Sequence, residues 1–207
     1  MDSRYYAPLA HAAPSTREMS DSAPDRLPQP ALVAVVTKFR GPHRLFSNMF
    51  RAPVAWGDDV TAPRLWACNE LPYVLAKTRS PEERAQGLAV FERVEVRDPE
   101  KAGMAVRHWG KRLVLRPDWD ALKREVMLAL VRDKFARNRA LGEALLSTGD
   151  GLIEEGNTWG DIYWGIARRS VPERGIRVGD GENHLGRIMM QVRAELRRGE
   201  RHLALPL

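Results

Sequence analysis

Apolar and polar positions along the chain fall into segments of distinct period, separated by residues that cap helices or turn the backbone. Residues 1–30 have no apolar period. Pro8, Pro14, Pro24, Pro28 and Pro30 stand among Ala, Ser and charged residues there, which is the composition of a flexible arm. Leu32 to Phe39 is a β-branched apolar run that predicts a buried first strand. Pro53 to Val60 and Arg64 to Ala67 predict a hairpin around Gly57-Asp58. Asn69 is placed to cap a helix running to about Thr78, with Pro72 in its first turn. Ser80-Pro-Glu-Glu83 combines an N-cap, a proline at the first helical position and a capping-box glutamate. Asp98-Pro99 repeats the cap-and-proline device and opens a helix towards Lys111.

Asp118 starts a long helix on which Leu122, Val126 and Leu130 share a stripe, with Trp119 behind them. Asn138 interrupts it, and a short continuation carrying Leu141, Leu145 and Leu146 stops at Thr148-Gly-Asp150. Gly151 to Glu155 and Asp161 to Trp164 read as two short strands. A loop with Gly179 and Gly181 leads into a last helix, striped by Leu185, Ile188, Met189, Val192 and Leu196. The predicted fold is α+β and predominantly helical, with a small sheet or hairpin. No βαβ alternation suggests a doubly wound sheet. The expected organisation is an arm over 1–30, one folded domain over 31–200 and a tail over 201–207.

Composition narrows the chemistry. The 207 residues suffice for one domain with a substantial core, and 43% apolar with 29% charged residues suits a globular protein. No apolar run reaches about 18 residues, and the N-terminus lacks a signal-peptide pattern. With a single cysteine, Cys68, and five scattered histidines, neither a disulfide framework nor a metal site is expected. The expected setting is a reducing cytoplasm without membrane association. The net charge of +6 favours polyanionic partners, although the Arg193, Arg197, Arg198 and Arg201 cluster reads as a solvated helix end.

Four segments carry candidate chemistry. Trp159-Gly-Asp-Ile-Tyr-Trp-Gly165 holds two of the six tryptophans around Asp161; aromatic faces beside a carboxylate can hold a flat ring and stabilise positive charge. That segment reads equally well as strand packing. Glu70, Tyr73 and Lys77, at i, i+3 and i+7, fall on one helical face, which also suits an ordinary solvated face. After the first strand, Arg40 can fork onto a phosphate, and Ser47 and Asn48 can bond sugar or phosphate oxygens. The Gly179-x-Gly181 loop before a helix is a weak signal for an anion site.

Taken in order, these segments resemble the NADAR (NAD- and ADP-ribose-associated) superfamily. The resemblance rests on Phe39-Arg-Gly41 with Leu45-Phe-Ser-Asn48, on Glu70 with Ala76-Lys77, and on Arg116-Pro-Asp-Trp-Asp120 with Lys123 and Met127. It continues through Lys134-Phe135 with Asn138, Leu145 to Gly149, Leu152-Ile-Glu154, Trp159-Gly-Asp161 with Trp164-Gly165, and Gly181 to Gly186. One departure is Asn69-Glu-Leu-Pro-Tyr73, where the family's pattern has a histidine after the glutamate.

The resemblance implies a single NADAR-like domain that hydrolyses N-glycosidic bonds without a cofactor or metal. Glu70 and Asp161 would be the catalytic carboxylates, Glu70 the principal one. Arg40, Ser47, Asn48, Tyr73, Lys77, Trp119, Trp164 and Asn183 would bind substrate. The implied partner is a ribosylated base, ADP-ribosyl or phosphoribosyl. ADP-ribosylated guanine is favoured, free or carried by DNA. A riboflavin-pathway phosphoribosyl-amine is the alternative, and a non-catalytic NAD or ADP-ribose binding module is the second. Oligomeric state is left open.

Overall fold

The computed structural model describes residues 35–58 and 62–200, so the predicted arm and tail, and part of the first strand and hairpin turn, lie outside the described residues. Helices dominate, and the sheet content is two separate two-stranded pairs. Strands β1 (Val54–Trp56) and β2 (Arg64–Trp66) form the antiparallel hairpin that the sequence predicts, with Ala55 opposite Leu65. Strands β3 (Gly156–Asn157) and β4 (Ile166–Ala167) pair in parallel. Among the described residues before Phe39, Val36 makes a single bridge to Ile153, and this bridge also stands in place of the strand expected over 151–155. Its one partner segment leaves this backbone beyond Val36 without a ladder to extend.

The helices are α1 (Glu70–Leu75), α2 (Pro81–Glu95), α3 (Pro99–Trp109), α4 (Trp119–Arg137), α5 (Arg139–Leu146) and α6 (His184–Arg197). Two begin as their cap residues predict. Ser80 Oγ accepts from Glu83 N at 3.1 Å, and Asp98 accepts from Lys101 N at 3.3 Å. Two do not. Asn69 sits in helical conformation with no side-chain cap, and Asp118 turns its carboxylate to Arg116 at 2.6 Å.

Helix α4 runs through the core and buries Val126, Met127, Leu130, Val131 and Phe135. Leu185, Ile188, Met189 and Val192 of α6 belong to the same cluster. Asp133, fully buried, ties α4 to the hairpin by accepting from Ala55 N at 2.6 Å, and Arg137 neutralises it at 2.8 Å. Both faces of α1 are buried, so the expected division into packed and solvated faces does not hold. This short helix is the floor of the site rather than a surface element.

Candidate active site

Glu70 is the first residue of α1 and only 7% exposed. Its position is set from two sides. Lys134 of α4, 1% exposed, donates to the Ser47 carbonyl at 2.8 Å, and the next carbonyl, of Asn48, accepts from Glu70 N at 3.0 Å. Asn48 also reaches Met127 Sδ at 3.4 Å. A buried lysine thus anchors the loop on which the first turn of α1 hangs. Burial presses the Lys134 amine down to about 7.

Above α1 lies a cavity of about 340 Å³ whose walls include Asn48, Glu70, Tyr73, Lys77, Trp119, Asp161 and Trp164. Seven of the sequence-predicted site residues therefore meet in one chamber. Tyr73 is its aromatic centre, 5.2 Å from the Trp119 ring and 5.8 Å from that of Trp164, edge-on. Tyr163 packs edge-on to Trp164 at 4.9 Å and lies beneath the Lys123 ammonium at 4.0 Å. Such a set of ring faces suits a planar heterocycle or a cationic sugar.

Arg40 and Ser47 stand apart, lining a smaller adjoining cavity of about 190 Å³ that shares Asn48 and Glu70 with the first. Asn183 does not line the chamber. It adopts a left-handed conformation at φ 53°, its Oδ1 accepts from Glu155 N at 3.1 Å, and its Nδ2 donates to Ile153 O at 2.9 Å. With both ends of its amide taken up by backbone, Asn183 braces the wall and is not free to bind a ligand.

The segment holding Asp161 is a turn and not a strand. Asp161 Oδ1 accepts from the amides of Tyr163 and Trp164 at 3.2 and 2.9 Å, which closes an aspartate turn. Asn157 clamps Asp161 from behind, accepting from its amide at 2.9 Å and donating to its carbonyl at 2.7 Å. The carbonyls of Ile162, Tyr163 and Trp164 accept from the amides of Glu182, His184 and Leu185. In the Gly179-x-Gly181 loop, Gly179 N donates to Ala167 O at 2.8 Å and Asp180 N to Arg177 O at 3.2 Å, so these amides of the expected anion site are spent on backbone. Gly181 allows the approach: at φ 146°, a Cβ there would lie 2.1 Å from the Gly165 carbonyl.

Two residues that sequence reasoning missed complete the chamber, Arg107 from α3 and Glu155 from the segment before β3. Burial pushes the Glu155 carboxyl up to about 8, reinforced by the negative charges of Asp161 and Glu70 and opposed by Arg107. Burial also raises Glu70, but there both Arg107 and Lys77 oppose it. Lys77 in turn is lowered by burial, with Glu70 pulling the other way. Three carboxyl groups and two cations therefore share one small space, and burial favours the neutral acid at both Glu70 and Glu155. Among the described residues no cluster of His, Cys, Asp or Glu is suited to holding a metal ion, and no helix is long and apolar enough to cross a membrane.

Comparison with known proteins places this geometry in context. A sequence model of the NADAR domain matches residues 37–197. A riboflavin biosynthesis protein of Zea mays, PYRR, is 27% identical over 91% of this chain and 29% of its own length. An N-glycosidase of Nostoc punctiforme is 39% identical over 40% of this chain and 47% of its own. The N-glycosidase YbiA of Escherichia coli is 33% identical over 40% of this chain and 45% of its own. These matches span about half the length of the curated relatives, or less. The solution structure of Escherichia coli YbiA superposes with a TM-score of 0.58 at 23% identity, covering 81% of this chain and 88% of that one, and shares its fold.

Proposed function

Because the chain belongs to the NADAR family, we propose that it hydrolyses the N-glycosidic bond of a ribosylated base. The observation that carries this reading is the chamber itself, with Glu70, Glu155 and Asp161 facing Tyr73, Trp119 and Trp164. Breaking the bond sends its electron pair to the leaving nitrogen, leaves positive charge at the anomeric carbon and needs one water and one proton. Glu70, raised by burial but drawn back towards the anion by Arg107 and Lys77, faces the developing cation and takes the proton of the attacking water. Glu155, whose carboxyl burial pushes up to about 8, delivers a proton to the departing base. Asp161, one oxygen of which is held by the turn, orients the sugar hydroxyls with the other. The tryptophans and Tyr73 hold the base, each stacked ring contributing roughly 1–3 kcal/mol. Asn48 and Lys77 hold the sugar, and Arg40 and Ser47 receive a phosphate in the adjoining cavity.

The favoured substrate is ADP-ribosylated guanine, free or in DNA, as the positive balance of +6 suits a polyanion and the aromatic cage suits a planar base. The alternative is a phosphoribosyl-amine of riboflavin synthesis, favoured by the likeness to PYRR of Zea mays. A hydrolysis screen over both substrate types tests the proposal, with Glu70→Gln as the control. The variant should lose turnover by at least about 10²-fold while still binding product. Wild-type rates in Glu70→Gln would remove Glu70 from the mechanism.

A further inference from the structure

Behind α1 lies a separate cleft of about 460 Å³, larger than the chamber and sharing none of its lining residues. Trp56 and Trp66 of the hairpin, Ala85 and Leu88 of α2 and Leu75 of α1 make its walls largely apolar. Leu75 follows Tyr73 by two residues and so points almost opposite to it around the helix. The hairpin side is firm, because Trp66 Nε1 donates to the Trp56 carbonyl at 2.8 Å. Two cations line the cleft, and they differ. Arg84 is buried and fully engaged, donating to both oxygens of Asp58 at 3.1 and 2.5 Å and to the Thr78 carbonyl at 2.9 and 2.7 Å. Arg64 is exposed, lies 3.7 Å over the Trp66 ring centre and makes no ion pair among the described residues. No carboxylate is among the described residues that line the cleft. An apolar recess with one open cation suits an apolar body that carries one negative group.

We propose that this cleft is a second binding site, an effector site that takes a small carboxylic acid with a compact apolar body. Its carboxylate pairs with Arg64, and its body packs against Leu75, Leu88 and the two indoles. A carboxylate matches one guanidinium fork, whereas a phosphate or a strand of them brings more charge than the cleft can pair. The ligand would bear on the helix that floors the chamber. Helix α1 is six residues long, with Glu70 at one end and Leu75 at the other. It has little slack: a Cβ at Gly87 would lie 2.6 Å from Leu75 Cδ2, so α2 packs directly on that end. A body wedged between α2 and the hairpin therefore shifts or fixes the element that carries Glu70, Tyr73 and Lys77, without entering the chamber. The effector role, unlike the binding itself, rests on the N-glycosidase reading of that chamber.

The test is a calorimetric titration of the full chain with naphthalene-2-carboxylate, which requires no turnover. Wild type should bind it and unfold at higher temperature in its presence. The uncharged 2-naphthylmethanol, with the same body, should bind about tenfold more weakly. Arg64→Gln should weaken the carboxylate by a similar factor and leave the alcohol unchanged, which separates charge from packing. Ala85→Phe, filling the cleft from the α2 side, should abolish binding of both. No binding by wild type, or wild-type binding by Arg64→Gln and Ala85→Phe with their folds intact by circular dichroism, overturns the site. Weakening by Trp119→Ala but not by Ala85→Phe would place the ligand in the chamber and likewise overturns the cleft. In turnover assays, saturating naphthalene-2-carboxylate should change kcat of wild type by about twofold or more and leave Ala85→Phe unaffected. Binding at the cleft with kcat unchanged upholds the site and overturns its effector role. Binding with no cleavage of any N-riboside upholds the site and removes the glycosidase reading instead.

Discussion

The chemistry of the chamber depends on how one proton is shared among three acids. Glu70 and Glu155 are both raised by burial, but Lys77 assists only Glu70, and Asp161 and Glu70 both act against ionising Glu155. Glu155, pushed up to about 8, suits the general-acid role proposed for it, while Arg107 and Lys77 draw Glu70 towards the carboxylate role proposed there. If Glu155 protonates the departing base, kcat should fall as pH rises through about 8, because the acid form is then lost. Glu155→Gln should lower kcat by at least about 10²-fold and abolish that alkaline limb. A profile measured from pH 5 to 10 checks this; an unchanged limb in the variant would move the acid role to another group.

At the scale of elements, the site depends on how α6 begins. Its cap residue, Asn183, bonds backbone on either side of Glu154, while the amides around it hold the carbonyls of the Asp161 turn. Gly186 permits this packing, since a Cβ there would lie 2.1 Å from the Ile153 carbonyl. Asn183→Ala removes two hydrogen bonds from buried backbone groups, at a cost of roughly 1–3 kcal/mol each. It also places alanine at a left-handed position. Asn183→Gly relieves the conformation without restoring the bonds. Both variants should lower urea midpoints, with alanine lower, and both should reduce kcat more than they raise KM, because Glu155 is displaced and the ring cage is not. Equal kcat in Asn183→Gly and wild type would show that Glu155 needs no such brace.

The same elements show what was legible in the sequence. Helix starts are written locally, in Ser80-Pro81 and Asp98-Pro99, and these stand where expected. The acid and ring residues of the chamber stood out because Trp159 to Gly165 concentrates them and Glu70, Tyr73 and Lys77 share a helical spacing. Arg107 and Glu155 did not. Arg107 lies on a helix whose neighbours are set by packing, and Glu155 reaches the chamber through a backbone held by Asn183, 28 residues further on. Three expected strands, over the described part of 32–39, over 151–155 and over 161–164, failed for a related reason. A β-branched run at Val36 and an aromatic run at Tyr163 satisfy strand propensity, but a strand exists only with a partner backbone. Around Asp161 the side-chain carboxylate supplies the hydrogen bonds that a partner would have supplied.

For the whole molecule, the buried charges that shape the site also shape stability against pH. Glu155 is raised from 4.5 to about 8, so its contribution is fully present below 4.5 and is lost as pH rises through about 8. Lys134 moves the opposite way, from 10.5 to about 7. Between those values the unfolded chain binds a proton that the folded one does not, so this contribution grows as pH rises from about 7 to 10.5. The two opposed slopes meet near neutrality, and each is on the order of a few kcal/mol. Stability measured by urea unfolding should therefore pass through a shallow minimum around pH 7 to 8. Glu155→Gln should flatten the acid side of that minimum. Lys134→Met should flatten the alkaline side, while leaving the Ser47 carbonyl without its donor and so loosening the loop beneath Glu70. The second variant should thus lose activity even at a pH where its stability is no lower than wild type. Full activity in Lys134→Met would detach the buried amine from the positioning of Glu70.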